Sequence, residues 1–308
     1  MQSILAQTID PLEIVLCDDA STDNTIEIAS AAMTALRSDA AHCQSLRIFK
    51  NPSPLGVAKN FERAILACRG ELIALCDQDD VWANNRLERM AAEFAMRPDL
   101  LLLHSDARLV NEAGEYLGHS LFDVLDVTSW ELRRIRIGRA FDVLLRRNLA
   151  TGATMMFRSA ILPYAAPFPP EWLHDEWLAI IAAAVGRVDV LTDRLIDYRQ
   201  HPGNQIGARR ETLSTKISKA TAPRGTKHSA RMAKTAALLA RLMEFQRDTG
   251  AAKLDEVRAK LEHQAIRAGL PPRRLARVGT VLREALSRRY HRYGRGLPYI
   301  IQDLLESA

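Results

Sequence analysis

Cysteine is scarce in this sequence. Cys17, Cys43, Cys68 and Cys76 occur in 308 residues, with no CxxC pair and no metal-ligand spacing. This excludes a disulfide framework and a thiolate zinc site. Cys17 and Cys76 lie in apolar, strand-like runs, so buried free thiols in a reducing compartment are expected. Long apolar runs are missing too. The longest, residues 177–185, has nine residues, against the ~18–20 that a membrane-spanning helix needs. Met1-Gln2-Ser3-Ile4 carries neither the basic region nor the apolar core of a signal peptide. These absences together set the expectation of a cytoplasmic protein. A Gly-rich, basic N-terminal loop, which a nucleotidyltransferase on a related sheet would ordinarily show, is also absent.

What remains is globular in composition, with 47% hydrophobic and 26% charged residues. The length suits one large or two ordinary domains. The net charge of +5 conceals an asymmetry. Residues 1–208 hold 20 Lys and Arg against 28 Asp and Glu, whereas residues 209–308 hold 22 against 9. The first part therefore stands at −8 and the second at +13, which marks a boundary near residues 203–210.

The densest chemistry lies in Leu75-Cys76-Asp77-Gln78-Asp79-Asp80-Val81-Trp82. Three carboxylates fall within four positions, directly after an apolar run at residues 71–76 that reads as a buried strand. Carboxylates so close raise one another's pKa unless a cation or a row of donors holds them. At a strand end in an α/β sheet, a divalent ion and a phosphate-bearing ligand fit that description. A solvated, Asp-rich turn is the plain alternative.

The rest of the chain favours the ligand site. A strand over residues 12–17 ends in Asp18-Asp19, and Ser21 to Asn24 supplies capping residues for a helix. A strand over residues 46–49, a Pro- and Gly-built turn at residues 51–56 and a helix over residues 57–68 lead into the central strand. A helix over residues 84–96 follows. This alternation with short links is the pattern of a parallel α/β sheet, and both acid clusters then fall on its ligand-binding edge.

Further on, residues 100–103 read as a strand, residues 106–115 as a polar turn region, and residues 120–147 as helix lying on the surface. Trp172-Leu173-His174-Asp175-Glu176-Trp177 runs into a helix that stops at Gly186. Asp175 at a helix N-terminus has a simple explanation in the dipole and capping. A strand over residues 188–191 precedes Asp197-Tyr198-Arg199-Gln200-His201-Pro202-Gly203-Asn204, a polar set whose donors suit a diphosphate.

Residues 3–207 resemble the family-2 glycosyltransferases of the GT-A fold, and in particular their bacterial rhamnosyltransferase-like members. The matching stretches are Ser3 to Thr8, Asp18 to Asp23, Leu55 to Phe61, Cys76 to Trp82, Thr151-Gly152-Ala153, His174 to Trp177 and Tyr198 to His201. Each alone is weak, but seven in the same order are specific. The resemblance implies an α/β fold with a mixed, Rossmann-like sheet flanked by helices, as residues 1–208; the basic region that follows, residues 209–308, reads as helical from its own residues. It implies a metal-dependent inverting transferase that takes a sugar from a dTDP- or UDP-linked donor to a glycan or lipid-linked acceptor, with rhamnose favoured by the subgroup. Asp19 would meet the nucleobase, and Lys59 the ribose or diphosphate. Asp79 would be the main ligand of Mg²⁺ or Mn²⁺, with Asp77 towards the ribose and Asp80 in support. Asp175 would be the general base and Gly152 would sit beside a sugar. Arg199 and His201 would help hold the diphosphate.

Members of this family begin with a strand and a Pro-x-Tyr-Asn-like turn upstream of the Ser3 match, whereas this chain starts after it. The resemblance therefore implies a sheet short of one strand beside the donor site, with an unpaired apolar strand and a cost in stability. A relative that has lost catalysis and acts in binding or assembly is the alternative function. Residues 211–308 lie outside the resemblance and read as helices over residues 229–247, 251–268 and 273–293, with breaks at residues 269–272 and 296–298. Arg288-Arg289-Tyr290-His291-Arg292-Tyr293 interleaves cations with aromatics. It is read as a helical subdomain with a solvated basic face or as a peripheral contact with anionic lipid, with nucleic acid the weakest reading.

Overall fold

The computed structural model describes residues 1–37, 45–200 and 227–306. The chain divides into two units, residues 1–140 with 149–208, and residues 141–148 with 209–308.

The first unit is α/β. A short helix α1 (Gln2–Leu5) precedes β1 (Ile14–Asp18), α2 (Thr25–Arg37), β2 (Leu46–Lys50) and α3 (Val57–Ala67). Then come β3 (Leu72–Ala74), β4 (Val81–Trp82), α4 (Arg86–Met96), β5 (Leu100–Val110) and β6 (Tyr116–Ser120). Helices α5 (Leu121–Val124) and α6 (Ser129–Arg136) follow, each opened by a capping box, through Ser120 with Asp123 and Thr128 with Glu131. Helix α7 (Ala140–Arg146) lies almost wholly in the second unit. The first unit closes with β7 (Met155–Arg158), α8 (Leu162–Ala165), α9 (His174–Val185) and β8 (Arg187–Arg199).

The sheet is mixed. Strands β1 and β2 pair in parallel, and a six-stranded sheet runs β3-β7-β5-β8-β4 with β6 on β5. Within it the β5–β8 pair is parallel and the others are antiparallel. The mixed sheet that the resemblance implies is borne out, whereas the parallel pattern suggested by strand–helix alternation alone holds only for β1–β2 and β5–β8. Strand β5 runs on to Val110, through the first half of the residues expected to be a polar turn, because Asp106 is buried and its carboxylate accepts the N–H groups of Ala107 and Phe122. The turn itself is confined to residues 111–115. Strand β8 is likewise longer than the apolar run at residues 188–191. Its polar second half is held in register, from Asp106 opposite Arg194 to Val110 opposite Arg199. Long polar side chains there mask an extended backbone. The segment at residues 120–147 is helical as expected, in three short helices, but it does not lie wholly on the surface, since Leu121, Phe122 and Ile135 are buried.

The core lies between the sheet and its helices. Leu100, Leu103, Met156 and Ile196 from the strands meet Leu87, Met90 and Phe94 of α4. Among the described residues, β1 pairs with β2 alone and β3 with β7 alone. An apolar cavity of about 280 Å³ is lined by Ile14 and Val15 on one side and Leu72 to Leu75 on the other.

The second unit is helical: α10 (Lys227–Glu244), α11 (Gln246–Thr249), α12 (Ala251–Ala268), α13 (Arg274–Leu286), α14 (Arg289–Tyr293) and α15 (Leu297–Leu305). Two expectations change. Helix 273–293 is interrupted at Arg288, whose φ of 60° is left-handed and ends the α-helical hydrogen-bond ladder. Pro298, read as a break, instead stands in the first turn of α15, where its missing N–H costs nothing. Leu270, Val281 and Tyr290 form a small core here.

Candidate active site

Strand β3 ends at Ala74, and the acid turn Asp77 to Asp80 carries the chain into β4. Val81 of β4 lies opposite Asp197 of β8 in antiparallel register. Two residues further on, that register brings Arg199 beside Asp79. The Arg199 N–H donates to Asp80 Oδ1 at 3.0 Å and its Nε to the Asp79 carbonyl at 3.0 Å. Its Nη1 also donates to the Asn111 carbonyl at 3.2 Å and to that of Glu112. Arg199 therefore fixes the acid turn to the β5–β6 connection.

Strand β7 enters beside β3, with Met156 opposite Ala74, and the 3-10 turn Gly152–Thr154 lies just before it. The Gly152 N–H donates to Asp175 Oδ2 at 3.1 Å, while Asp175 Oδ1 accepts the Glu176 N–H at 2.7 Å. Asp175 is in the first turn of α9, where the dipole favours a carboxylate. A side chain at position 152 would meet His174 Nε2 at 2.8 Å. This is why the turn needs glycine.

The acids share one field. Burial pushes the Asp77 carboxyl up to about 6, and the charges of Asp79 and Asp175 add to it. Burial pushes Asp80 up to about 8, with Asp77 and Asp79 contributing and the Arg199 N–H opposing. Tyr198 is raised by burial and then by Asp77, Asp80, Asp79 and Asp175 together. Asp80 Oδ2 is buried without a hydrogen-bond partner. Like charges half-withdrawn from water, with an oxygen left over, form an arrangement that a cation would relieve.

One residue that sequence reasoning missed opposes this charge. Arg86, at the start of α4, is fully buried and stacks 3.9 Å from the Trp82 ring centroid. Its Nη2 donates to the carbonyls of Ala153 at 2.8 Å, Leu75 at 3.3 Å and Met155 at 3.3 Å. It thus ties the base of the acid turn to the turn that holds Asp175, and its charge favours the ionised forms of Asp77 and Asp80. In the sequence it reads as an ordinary cation in a helix.

The other predicted residues are placed as follows. Asp19, past the end of β1, accepts from the N–H groups of Leu55 (2.7 Å) and Gly56 (2.9 Å) and from Asn51 Nδ2 (2.7 Å). Burial works to raise its carboxyl, but these donors outweigh burial and hold it below the ordinary range. Gly56 has φ of 82°, a conformation that favours glycine, so its N–H turns towards Asp19. Asn60 Nδ2 donates to the Cys17 carbonyl at 2.9 Å, and Phe61 stacks on His174 with ring centroids 4.0 Å apart. Burial lowers the His174 pKa to about 4, so this ring is neutral at neutral pH. Lys59 Nζ sits on Glu62 at 2.6 Å and on the Phe168 carbonyl at 2.8 Å. Trp172 and Trp177 are buried against each other, 5.4 Å between centroids, as core. His201 and Cys43 lie outside the described residues.

Cys17, Cys68 and Cys76 are free, and burial pushes the thiols of Cys68 and Cys76 up to about 11 and 12. They are inert at neutral pH. Among the described residues no helix is long and apolar enough to cross a membrane.

A mixed sheet flanked by helices, with acids at the ends of its strands, is GT-A architecture. The structure of S. aureus TarS matches with a TM-score of 0.51 over 85% of this chain and 40% of that chain, at 18% identity. A TarS structure in complex with UDP-GlcNAc matches with 0.50 over 99% of this chain and 85% of that one, also at 18% identity. At this identity the likeness concerns the fold. The model of glycosyl transferase family 2 matches residues 1–162, more than half of the chain, and the protein belongs to that family. The O-antigen biosynthesis glycosyltransferase WbnJ of Escherichia coli is 27% identical over 207 residues, covering 65% of this chain and 73% of that one. An uncharacterized protein of Mycobacterium tuberculosis is 28% identical over 193 residues, 62% of this chain and 51% of that one. The chain spans about half the length of the mycobacterial relatives it matches.

Proposed function

We propose that residues 1–140 and 149–208 form a catalytic domain that transfers a sugar from a nucleotide diphosphate to a hydroxyl of a glycan or lipid-linked acceptor, with inversion at the anomeric carbon. The observation that carries this reading is that Asp77, Asp79, Asp80 and Asp175 act on one another's charge in one half-buried field, with a guanidinium behind it. An oxygen-only donor set with excess negative charge and an unpartnered carboxylate oxygen fits Mg²⁺ or Mn²⁺. Asp79 would be the main ligand, with Asp77 and Asp80 beside it. When bound, the ion supplies positive charge to the leaving diphosphate.

The chain's own residues do the rest. Asp175, oriented by the Gly152 N–H, takes the proton of the acceptor hydroxyl as that oxygen attacks. Neutral His174, stacked on Phe61 against Gly152, fixes the wall beside it. Asp19 faces the base of the donor, and Lys59 and His201 serve its ribose and diphosphate. Arg199, whose guanidinium donates to backbone carbonyls, supports the diphosphate site by holding the acid turn in place. The motif resemblance makes dTDP-rhamnose the first donor to try. UDP-sugars come next, since TarS was solved with UDP-GlcNAc.

Two variants test this reading. Asp175→Asn keeps the side chain's shape and removes the base, so turnover should fall about 10²–10⁴-fold with nucleotide binding retained. Asp79→Ala should abolish metal-dependent nucleotide binding as well as transfer. Near-normal turnover in either variant would contradict the role given to that residue.

A further inference from the structure

Helix α13 is two-faced in an unusual sense. Arg277, Val281 and Glu284 are buried, whereas Leu275 is 89% exposed, Leu282 55% and Leu286 84%, with Val278 exposed between them. These positions recur every three or four residues and form one apolar stripe along the helix. Helix α15, which packs beside α13, exposes Leu297, Ile301 and Leu305 at the same spacing. Single exposed leucines mean little, but two stripes on neighbouring helices mark an interaction surface.

The charge of this segment decides the partner. Residues 273–306 contain three acids, and all are buried and held from within. Glu284 meets His263 at 2.6 Å, Asp303 meets Arg267 at 2.6 Å, and Glu306 meets Lys227 at 2.5 Å. The exposed charges are arginines: Arg273, Arg274, Arg283, Arg288, Arg292 and Arg295. Of these, Arg292 reaches Glu256. A second copy applied to this face would set arginine against arginine. Nucleic acid would satisfy the arginines and leave the leucines in water. A bilayer of anionic lipid satisfies both, taking apolar side chains below the headgroups and guanidinium groups among the phosphates.

We propose that α13 and α15 lie on the surface of an anionic lipid bilayer, with Leu275, Leu282 and Leu286 inserted and the exposed arginines at headgroup level. This gives the enzyme access to a lipid-linked acceptor. It rests on the proposed function for that purpose alone, because the binding itself is separable from catalysis.

The test is sedimentation of the full chain with vesicles of phosphatidylcholine alone and of phosphatidylcholine containing phosphatidylglycerol, at low and at high salt. The chain should sediment with the anionic vesicles and weaken as salt rises. The double variant Leu282→Glu with Leu286→Glu should reduce the bound fraction about tenfold or more. Its melting temperature should not change, since both side chains face water. Mn²⁺-dependent nucleotide binding, measured on the same samples, should be equal in variant and parent. Absence of binding to both vesicles would overturn the proposal. So would a concentration-dependent dimer, seen by light scattering and abolished by the double variant while vesicles do nothing. Loss of nucleotide binding in the parent, with vesicle binding intact, would instead fault the catalytic reading and leave this one standing.

Discussion

Gly152 shows how tightly the chemistry depends on single atoms. Its N–H orients Asp175, and its missing side chain admits His174. In Gly152→Ala the new methyl group would lie 2.8 Å from His174 Nε2, so the imidazole and its Phe61 stack must shift. A displaced base costs rate more than binding. We expect turnover to fall about tenfold to a hundredfold while nucleotide affinity stays within a few-fold. Wild-type turnover would show that the contact between residues 152 and 175 does not orient the base.

At this scale the sequence was unevenly legible. Asp77, Asp79 and Asp80 announce themselves because their chemistry is crowded into four consecutive positions. Arg86 does not. A buried arginine and a solvated one look alike in a helix, and only the fold brings Leu75, Ala153 and Met155 around its guanidinium. The Leu55 to Phe61 stretch reads as a motif in the sequence, but its reasons are structural. Gly56 serves Asp19, Asn60 holds β1, and Phe61 carries His174.

Among elements, the apolar strands and most helices follow from hydrophobic periodicity. Departures come where polar side chains sit on strands, as in β8, or where proline starts a helix rather than ending one, as in α15. Among the described residues, strands β1 and β3 each pair on one edge, with an apolar cavity lined by both. Open edges of this kind exchange amide hydrogens readily and invite association.

The end of α15 is held by a charge that can be tested. Burial tends to raise the Glu306 carboxyl, but His228 and Lys227 outweigh it and hold it at about 2, against an ordinary value of 4.5. A carboxyl depressed on folding adds stability that is fully present above pH 4.5 and is lost as pH falls towards 2. Glu306→Gln should therefore lower stability at neutral pH and make it less dependent on pH across that window. Urea melts of the full chain at several pH values measure this directly. An unchanged pH dependence would show that the Glu306 charge is not part of the second unit's stability.

On the scale of the whole molecule, charge was the most informative property of the sequence. An acidic first part suits a site that gathers cations, and a strongly basic second part suits an anionic surface. The sequence could not show that residues 141–148 belong with the second unit, because nothing in their composition separates them from their neighbours. Nor could it show that all three acids of residues 273–306 would be buried. That depends on partners as distant as Lys227, 79 residues before Glu306.

The central claim is that the acid turn and Asp175 form a metal-dependent donor site in this chain. It is tested most directly by titrating the 308-residue protein with dTDP and with UDP, each with and without Mn²⁺, and following calorimetric heat and melting temperature. We predict that one nucleotide binds and raises the melting temperature only when Mn²⁺ is present, and that Asp79→Ala abolishes the effect. Metal-independent binding, or no response to either nucleotide with Mn²⁺ present, would contradict it.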